Sequence, residues 1–180
     1  PLHDYIAKPV YSRFGSEEVF DLISQSDSIR YPAVVQRKIS GQVLCSYSIA
    51  VAGQVIAHAC YHPKYTAGVG AGIYFAPHHC QQIIDFVIET VQSLHFTGQI
   101  GFDFIEQEGV LYVIECNPRA TSGLHLIPTN CNLVPFILNK KSLATQPKNF
   151  SMLTACQIKM AMYLYGWAHI RKHGLKTMIK

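Results

Sequence analysis

Asp103, Glu115, Asn117 and Arg119 are the residues of this chain whose types and spacing suit chemistry on phosphate. They fall within residues 101–119, GFDFIEQEGVLYVIECNPR, a stretch with the alternation of a β-hairpin. Side chains alternate faces along a strand, so Gly101, Asp103 and Ile105 share one face and Phe102 and Phe104 the other. On the returning strand Leu111, Val113 and Glu115 share a face, opposed by Tyr112, Ile114 and Cys116. A three-residue loop Gln107-Glu108-Gly109, with Gly109 left-handed, pairs Asp103 with Val113. That register sets Glu115 on the face of Asp103, one diagonal step or about 7–8 Å away, with Asn117 next on the same face. A two-residue turn would split the two acids between faces.

Two carboxylates and an amide oxygen at that distance suit a hard cation such as Mg²⁺, which prefers oxygen ligands and keeps positions open for phosphate oxygens. Arg119 adds a planar fork of donors for phosphate or carboxylate. The apolar side chains of the other face, Ile100, Phe102, Phe104, Tyr112, Ile114 and Cys116, are expected to pack on the core. On spacing alone the plain alternative stands, an amphipathic hairpin whose exposed face happens to hold two acids.

This stretch resembles the metal-binding hairpin of the ATP-grasp superfamily, in which an acid on one strand is followed, after a short hairpin, by a Glu-x-Asn-x-Arg run. The resemblance implies metal ligation by Asp103, Glu115 and Asn117 and a catalytic role for Arg119. The first acid is Asp where Glu is more frequent, which shortens its reach by a methylene. Asn117-Pro118-Arg119-Ala120-Thr121-Ser122-Gly123 is most similar to the carbamoyl-phosphate-synthase-like branch.

Upstream, Tyr5-Ile6-Ala7-Lys8-Pro9 is a short apolar strand ending in a lysine, followed by a loop with Arg13 and Gly15. An ammonium there offers a compact charge for triphosphate oxygens, and loop amides can add donors. Alone, a Lys-Pro dipeptide is an ordinary strand end. In order with the hairpin, Lys8 is similar to the family's phosphate-binding lysine, with Arg13 assisting. The run 33–41, AVVQRKISG, resembles the hinge whose backbone meets adenine. The resemblance makes Gln36, Arg37, Lys38 and Ile39 ATP-binding candidates. Gln36 and Arg37 stand where an acid usually holds the ribose, although an amide still hydrogen-bonds a hydroxyl. A β-strand with a basic, self-blunting edge is an equal reading of Arg37 and Lys38.

At 180 residues, with 49% hydrophobic and 14% charged residues, the chain suits one packed domain rather than disorder. The formal charge of +4 comes from scattered Lys and Arg, so nucleic-acid binding is not expected. Six cysteines without C-x-x-C pairs, several in apolar runs, read as buried free thiols in a reducing compartment. His78 and His79 read as surface residues at a helix start. No apolar run reaches the roughly 18 residues of a membrane span, and no signal peptide opens the chain. A cytoplasmic protein without a membrane partner is therefore expected. Family members normally carry further domains before the lysine strand, and this chain begins about seven residues ahead of Lys8. It therefore resembles the C-terminal part of the ATP-grasp domain, as an excised fragment or as one part of a split enzyme that would need the missing N-terminal portion.

The expected fold is α+β, a largely antiparallel sheet flanked by helices. Residues 1–130 would form the ATP-grasp portion, and residues 131–180 a helical extension packed on it. Ser16-Glu17-Glu18 starts like a helix, with a capping hydroxyl, first-turn acids and Val19, Phe20, Leu22 and Ile23 on its apolar side. Runs 42–52 and 54–61 join at Gly53 as a hairpin. The glycine-rich stretch 61–72 reads as an exposed connection. Its family counterpart lines the acceptor side, which makes Lys64, Tyr65 and Thr66 weak substrate candidates, as the phosphate-side position makes Thr121 and Ser122. Residues 79–96 carry Ile83, Ile84, Val87, Val91 and Leu94 at helical spacing. Residues 153–170 read as a packing helix, or as an aromatic surface that docks missing domains. If that surface is exposed, self-association to a homo-oligomer follows.

The resemblance implies an ATP- and Mg²⁺-dependent (or Mn²⁺-dependent) ligase acting on a small-molecule carboxylate and an amine or thiol through an acyl phosphate. Lys8 would hold the outer phosphates and Arg119 the transferred group. The alternative is a non-catalytic nucleotide-binding or docking module. A metal-binding β domain unrelated to ATP would leave the Lys8 and hinge matches to coincidence.

Overall fold

The structure is a computed structural model that describes residues 4–10, 20–21, 32–67, 71–128, 155–163 and 165. A small antiparallel sheet holds β1 (Tyr5–Pro9), β2 (Phe20–Asp21) and β3 (Ala33–Arg37) in the order β2-β1-β3. The larger antiparallel sheet contains β4 (Gln42–Val51), β5 (Gln54–Ala67), β6 (Ala71–Pro77), β7 (Gly98–Gln107), β8 (Val110–Asn117) and β9 (Cys156–Gln157). Its order is β8-β7-β4-β5-β6-β9. Helix α1 (Gln81–Ser93) connects β6 to β7, and a 3-10 turn spans Ser122–Leu126. The α+β class is the expected one.

Strand β4 is apolar or small on both faces, so it suits only an interior position, and Leu44 to Val51 are all buried between β5 and β7. On one face Leu44 and Ala50 join Cys60, Ile100, Phe102 and Phe104 under α1. The helix buries Ile83, Val87 and Val91, one per turn at four-residue spacing. Each such side chain contributes about 1.5–3 kcal/mol of transfer free energy. On the other face Cys45, Tyr47, Ile49, Ala59, Tyr61 and Phe75 pack with Leu126 and Ile127. The helix stops without glycine: His95 takes φ 47°, while its N–H and that of Phe96 bond Gln92 O and Val91 O.

Several expectations require correction. Phe20 lies in a strand paired with β1 rather than in a helix, while residues 11–19 and 22–23, including Arg13 and the capping serine, fall outside the described residues. The supposed connection around Lys64, Tyr65 and Thr66 is strand, because β5 runs on to Ala67 and pairs with β6. Register shifts beside Pro63 and Tyr65 absorb a proline that cannot donate to the ladder. Tyr65 is buried edge-to-face on Tyr74. Cys156–Gln157 pairs with β6, so the helical residues begin only at 159. Met160 and Tyr163 are 76% and 83% exposed, while 153–154, 164 and 166–170 of the expected packing helix lie outside the described residues. Residues 131–154 and 166–180 lie outside the described residues.

Candidate phosphate and metal site

The β7–β8 turn is the two-residue kind. Glu108 and Gly109 both have positive φ, 52° and 79°, and Gln107 pairs with Val110. This is the mirror-image turn whose twist matches flanking strands. With a regular ladder it would put Asp103 opposite Ile114 and turn Glu115 to the far face. A β-bulge prevents that: Phe104 pairs with Val113 and Asp103 with Glu115, leaving Ile114 as an extra residue. The acids therefore share a face, and they sit directly opposite rather than diagonally. The same register corrects the outer half of the hairpin. Leu111 packs toward the α1 side, and Val113, opposite Phe104, lines a cleft there. Tyr112, opposite Ile105, takes the face of Asp103. Cys116 is exposed on the edge strand instead of buried.

Asn117 pairs with Gly101, the next position on the acid face. Its Nδ2 donates to Asp103 Oδ2 at 3.4 Å, and its Oδ1 accepts from Arg119 Nη2 at 3.0 Å. Arg119 Nη1 also donates to Ala120 O, 3.1 Å away, so the guanidinium folds back on its own loop. Thr121 lies over Gly101, where a Cβ would come within 2.9 Å of its Cγ2. A side chain at 101 would thus push the segment after Arg119 off the sheet.

Asp103 is half-buried, and desolvation pushes its carboxyl above the usual range. A hydrogen bond from Cys45 acts against that rise, the Glu115 charge adds to it, and the positive charges of Arg119 and Lys8 oppose it. The lysine of the small sheet is thus electrostatically felt at the acid of the large one. Two facing carboxylates with an amide beside them form a hard oxygen donor set that fits Mg²⁺ or Mn²⁺. Among the described residues no three His, Cys, Asp or Glu side chains gather as a metal site, so open coordination positions would fall to phosphate and water.

The other expected residues are placed as follows. Gln36 is opposite Ile6 and Val34 opposite Lys8, which puts Gln36 on the Lys8 face of the small sheet. Arg37 and Lys38 are exposed, Ile39 is half-buried, and Lys38 N–H bonds Asp4 O. Thr121 and Ser122 are half-buried at the start of the 3-10 turn. Lys64 lies 5.8 Å over the Tyr65 ring. A cleft of about 330 Å³ lined by Gln82, Phe86, Phe104 and Val113 opens on the α1 side of the sheet, opposite the acids, and is not part of this site.

One contact of Asp103, and the residue behind it, escape a reading confined to the hairpin. Registers align Tyr61, Cys45, Asp103 and Glu115 in one row across β5, β4, β7 and β8. Cys45 hydrogen-bonds both Asp103 and Tyr61. Burial, the facing carboxylate and that bond hold the proton on the Cys45 sulfur. Pairing β4 with the acid strand was the signal that would have found it.

Residues 1–123 match the ATP-grasp domain family. No match was found among curated protein sequences. Among solved structures, the chain is similar to the biotin carboxylase domain of Hydrogenobacter thermophilus 2-oxoglutarate carboxylase, at 13% identity and TM-score 0.62, over 84% of this chain and 40% of that one. It is also similar to N5-carboxyaminoimidazole synthetase from Staphylococcus aureus, at 13% identity and TM-score 0.59, over 95% of this chain and 50% of that one. Phosphoribosylamine–glycine ligase from Thermotoga maritima shares 13% identity and TM-score 0.57, over 77% and 45%. The chain thus spans no more than half the length of each of these structures. With a family match over more than half of its residues, the chain belongs to the ATP-grasp family.

Proposed function

We propose that this chain is the phosphate- and metal-handling part of an ATP-dependent ligase that joins a carboxylate to an amine or thiol. The observation that carries the reading is the pairing of Asp103 with Glu115, flanked by Asn117 and within electrostatic reach of Lys8. The biotin carboxylase structure was solved with MgADP and bicarbonate, which supports ATP and Mg²⁺ as the ligands here. Asp103, Glu115 and Asn117 would hold Mg²⁺, which when bound supplies charge neutralisation for the phosphate oxygens.

In this reading a substrate carboxylate oxygen attacks the terminal phosphorus, ADP leaves, and the nucleophile then displaces phosphate from the acyl phosphate. Lys8 draws the outer phosphates toward the acids. Arg119, released from Asn117, places its fork on the transferred group or the carboxylate. Gln36, Arg37, Lys38 and Ile39 contribute to nucleotide binding, with Arg13 beside Lys8. Lys64, Tyr65, Thr66, Thr121 and Ser122 are the acceptor-side candidates. No side chain forms a covalent bond, and positioning with electrostatics carries the rate.

The Asn117 to Gly123 run supports the carbamoyl-phosphate-synthase-like branch, and the free thiols among the described cysteines support a reducing, cytoplasmic setting. Among the described residues no helix is long and apolar enough to cross a membrane. We assign residues 1–130 to the ATP-grasp portion and residues 131–180 to an extension. One observation favours the docking-module reading, the exposure of Met160 and Tyr163. Calorimetric titration with Mg²⁺ and a non-hydrolysable ATP analogue tests the proposal. Binding that needs the metal and disappears in Asp103→Ala/Glu115→Ala is the expected result. Binding unchanged in that folded double variant would overturn the site assignment.

A further inference from the structure

We infer that Cys45 and Tyr61 are positioning residues for Asp103, a chain of donors that aims its carboxylate at the metal position. The inference rests on the metal-site reading above and extends it to two side chains outside the metal-binding hairpin. Cys45 faces Asp103 across β4–β7 and Tyr61 across β4–β5, so a single row of cross-strand neighbours links all three. Cys45 is 9% exposed and Tyr61 4%. Neither side chain has bulk solvent as an alternative partner; Cys45 interacts with Asp103 and Tyr61, and Thr121 lies beside the Tyr61 hydroxyl.

The polarity of the row is fixed at one end by chemistry. An ionised carboxylate only accepts, so the thiol must donate to it, and the sulfur is then free to accept from the Tyr61 hydroxyl. Donors in such a chain polarise one another and strengthen the last bond. A carboxylate on a strand otherwise rotates freely about its terminal torsion. Here the thiol holds one side and Asn117 Nδ2 the other at 3.4 Å. The carboxylate is thereby held facing Glu115 before any metal arrives, which lowers the ordering cost of coordination.

The test is Mn²⁺ alone, titrated against the chain and followed by electron paramagnetic resonance. Wild type is compared with Cys45→Ala, Cys45→Ser, Tyr61→Phe, Cys45→Ala/Tyr61→Phe and Asp103→Ala, and circular dichroism checks each fold. Cys45→Ala is expected to weaken Mn²⁺ by about fivefold, the equivalent of one modest hydrogen bond. Cys45→Ser, which keeps a donor, restores it to within about twofold. Tyr61→Phe weakens binding less and adds little to Cys45→Ala, because its hydrogen bond toward the row runs through the thiol, while Thr121 lies on its other side. A core packing role would instead make Ser, the more polar residue, worse than Ala. Wild-type affinity in Cys45→Ala, or no rescue by Ser, overturns the positioning role while a loss in Asp103→Ala keeps the metal site. Unchanged binding in Asp103→Ala overturns both.

Discussion

Asp103 stands directly opposite Glu115 because two departures on the same hairpin cancel, a two-residue turn at Glu108-Gly109 and an extra residue at Ile114. Each alone would move Glu115 to the α1 face, since the side-chain period of a strand is two. Together they return it to the acid face and sharpen the local twist. Cys116 and Asn117 then continue in step with Phe102 and Gly101. The bulge therefore works as a register device that aims a functional side chain.

The turn itself predicts a stabilising change. Glu108 occupies φ 52°, a region costly for a side chain with a full-length stem. Asparagine is the residue such a turn favours at its first position. Glu108→Asn is expected to stabilise the chain by roughly 0.5–1 kcal/mol, or about 2–4 °C in Tm if the full kilocalorie is realised. Differential scanning calorimetry checks it, with metal binding unaltered because the side chain is exposed at the turn. An unchanged or lower Tm would remove the strain argument.

Much of this architecture is legible in the sequence, and the failures have local causes. The β4–β5 hairpin shows in the two strand-like runs that meet at Gly53, and α1 in the spacing of Ile83, Val87 and Val91. Asp103, Glu115 and Asn117 are found on one face by an argument whose intermediate step is wrong. A glutamate at positive φ hides the two-residue turn, and nothing in Val113-Ile114-Glu115 marks a bulge. Lys64 to Thr66 are misjudged because Pro63 and nearby glycines signal a loop, whereas tertiary pairing with β6 overrides them. Cys45 is invisible as a site residue because its neighbour arrives from more than fifty residues away.

Arg119 predicts opposite effects on two ligands. Its Nη2 occupies Asn117 Oδ1 at 3.0 Å, the oxygen that a cation would take. Arg119→Ala removes both a competitor and a nearby positive charge. Mg²⁺ affinity in the absence of nucleotide is expected to rise by about threefold. Affinity for the ATP analogue with Mg²⁺ present is expected to fall by about tenfold, as a phosphate loses a charged donor. Calorimetry reads both, and effects of the same sign would separate Arg119 from the site.

His58 gives a pH dependence. It is 3% exposed, its Nδ1 lies 2.9 Å from Ser48 Oγ, and burial, aided by the charge of His79, lowers its pKa from 6.5 to about 4. The unfolded chain therefore binds more protons between these values, so stability is full above 6.5 and falls as pH drops toward 4. The loss amounts to roughly 3 kcal/mol. Asp103, with its raised pKa, works in the opposite sense in acid, so the difference between wild type and His58→Gln isolates the histidine. Urea unfolding from pH 7 to 4.5 is expected to show a steeper decline in wild type. Parallel curves would refute a neutral buried imidazole.

The surface beyond β9 bears on assembly. Ile158 bonds its N–H to Ile73 O, which anchors the segment to the β6 side of the sheet. The helical residues that follow nonetheless present Met160, Tyr163 and Tyr165 at 76%, 83% and 50% exposure, beside Ile158 at 45%. Methionine and tyrosine are the side chains enriched at interfaces, where they contribute area at little loss of rotamer freedom. An anchored strand carrying an uncovered aromatic turn is a surface that gains by association, so the isolated chain is expected to dimerise at tens of micromolar, about 6 kcal/mol of association free energy. Sedimentation velocity across that range should show a concentration-dependent shift, abolished in Met160→Ser/Tyr163→Ser with the far-ultraviolet spectrum intact. A single monomeric species throughout would mean that these residues gain nothing from a second copy. The site on the opposite edge of the sheet, at β7–β8, would be unaffected by either outcome, since β4 and β5 lie between them.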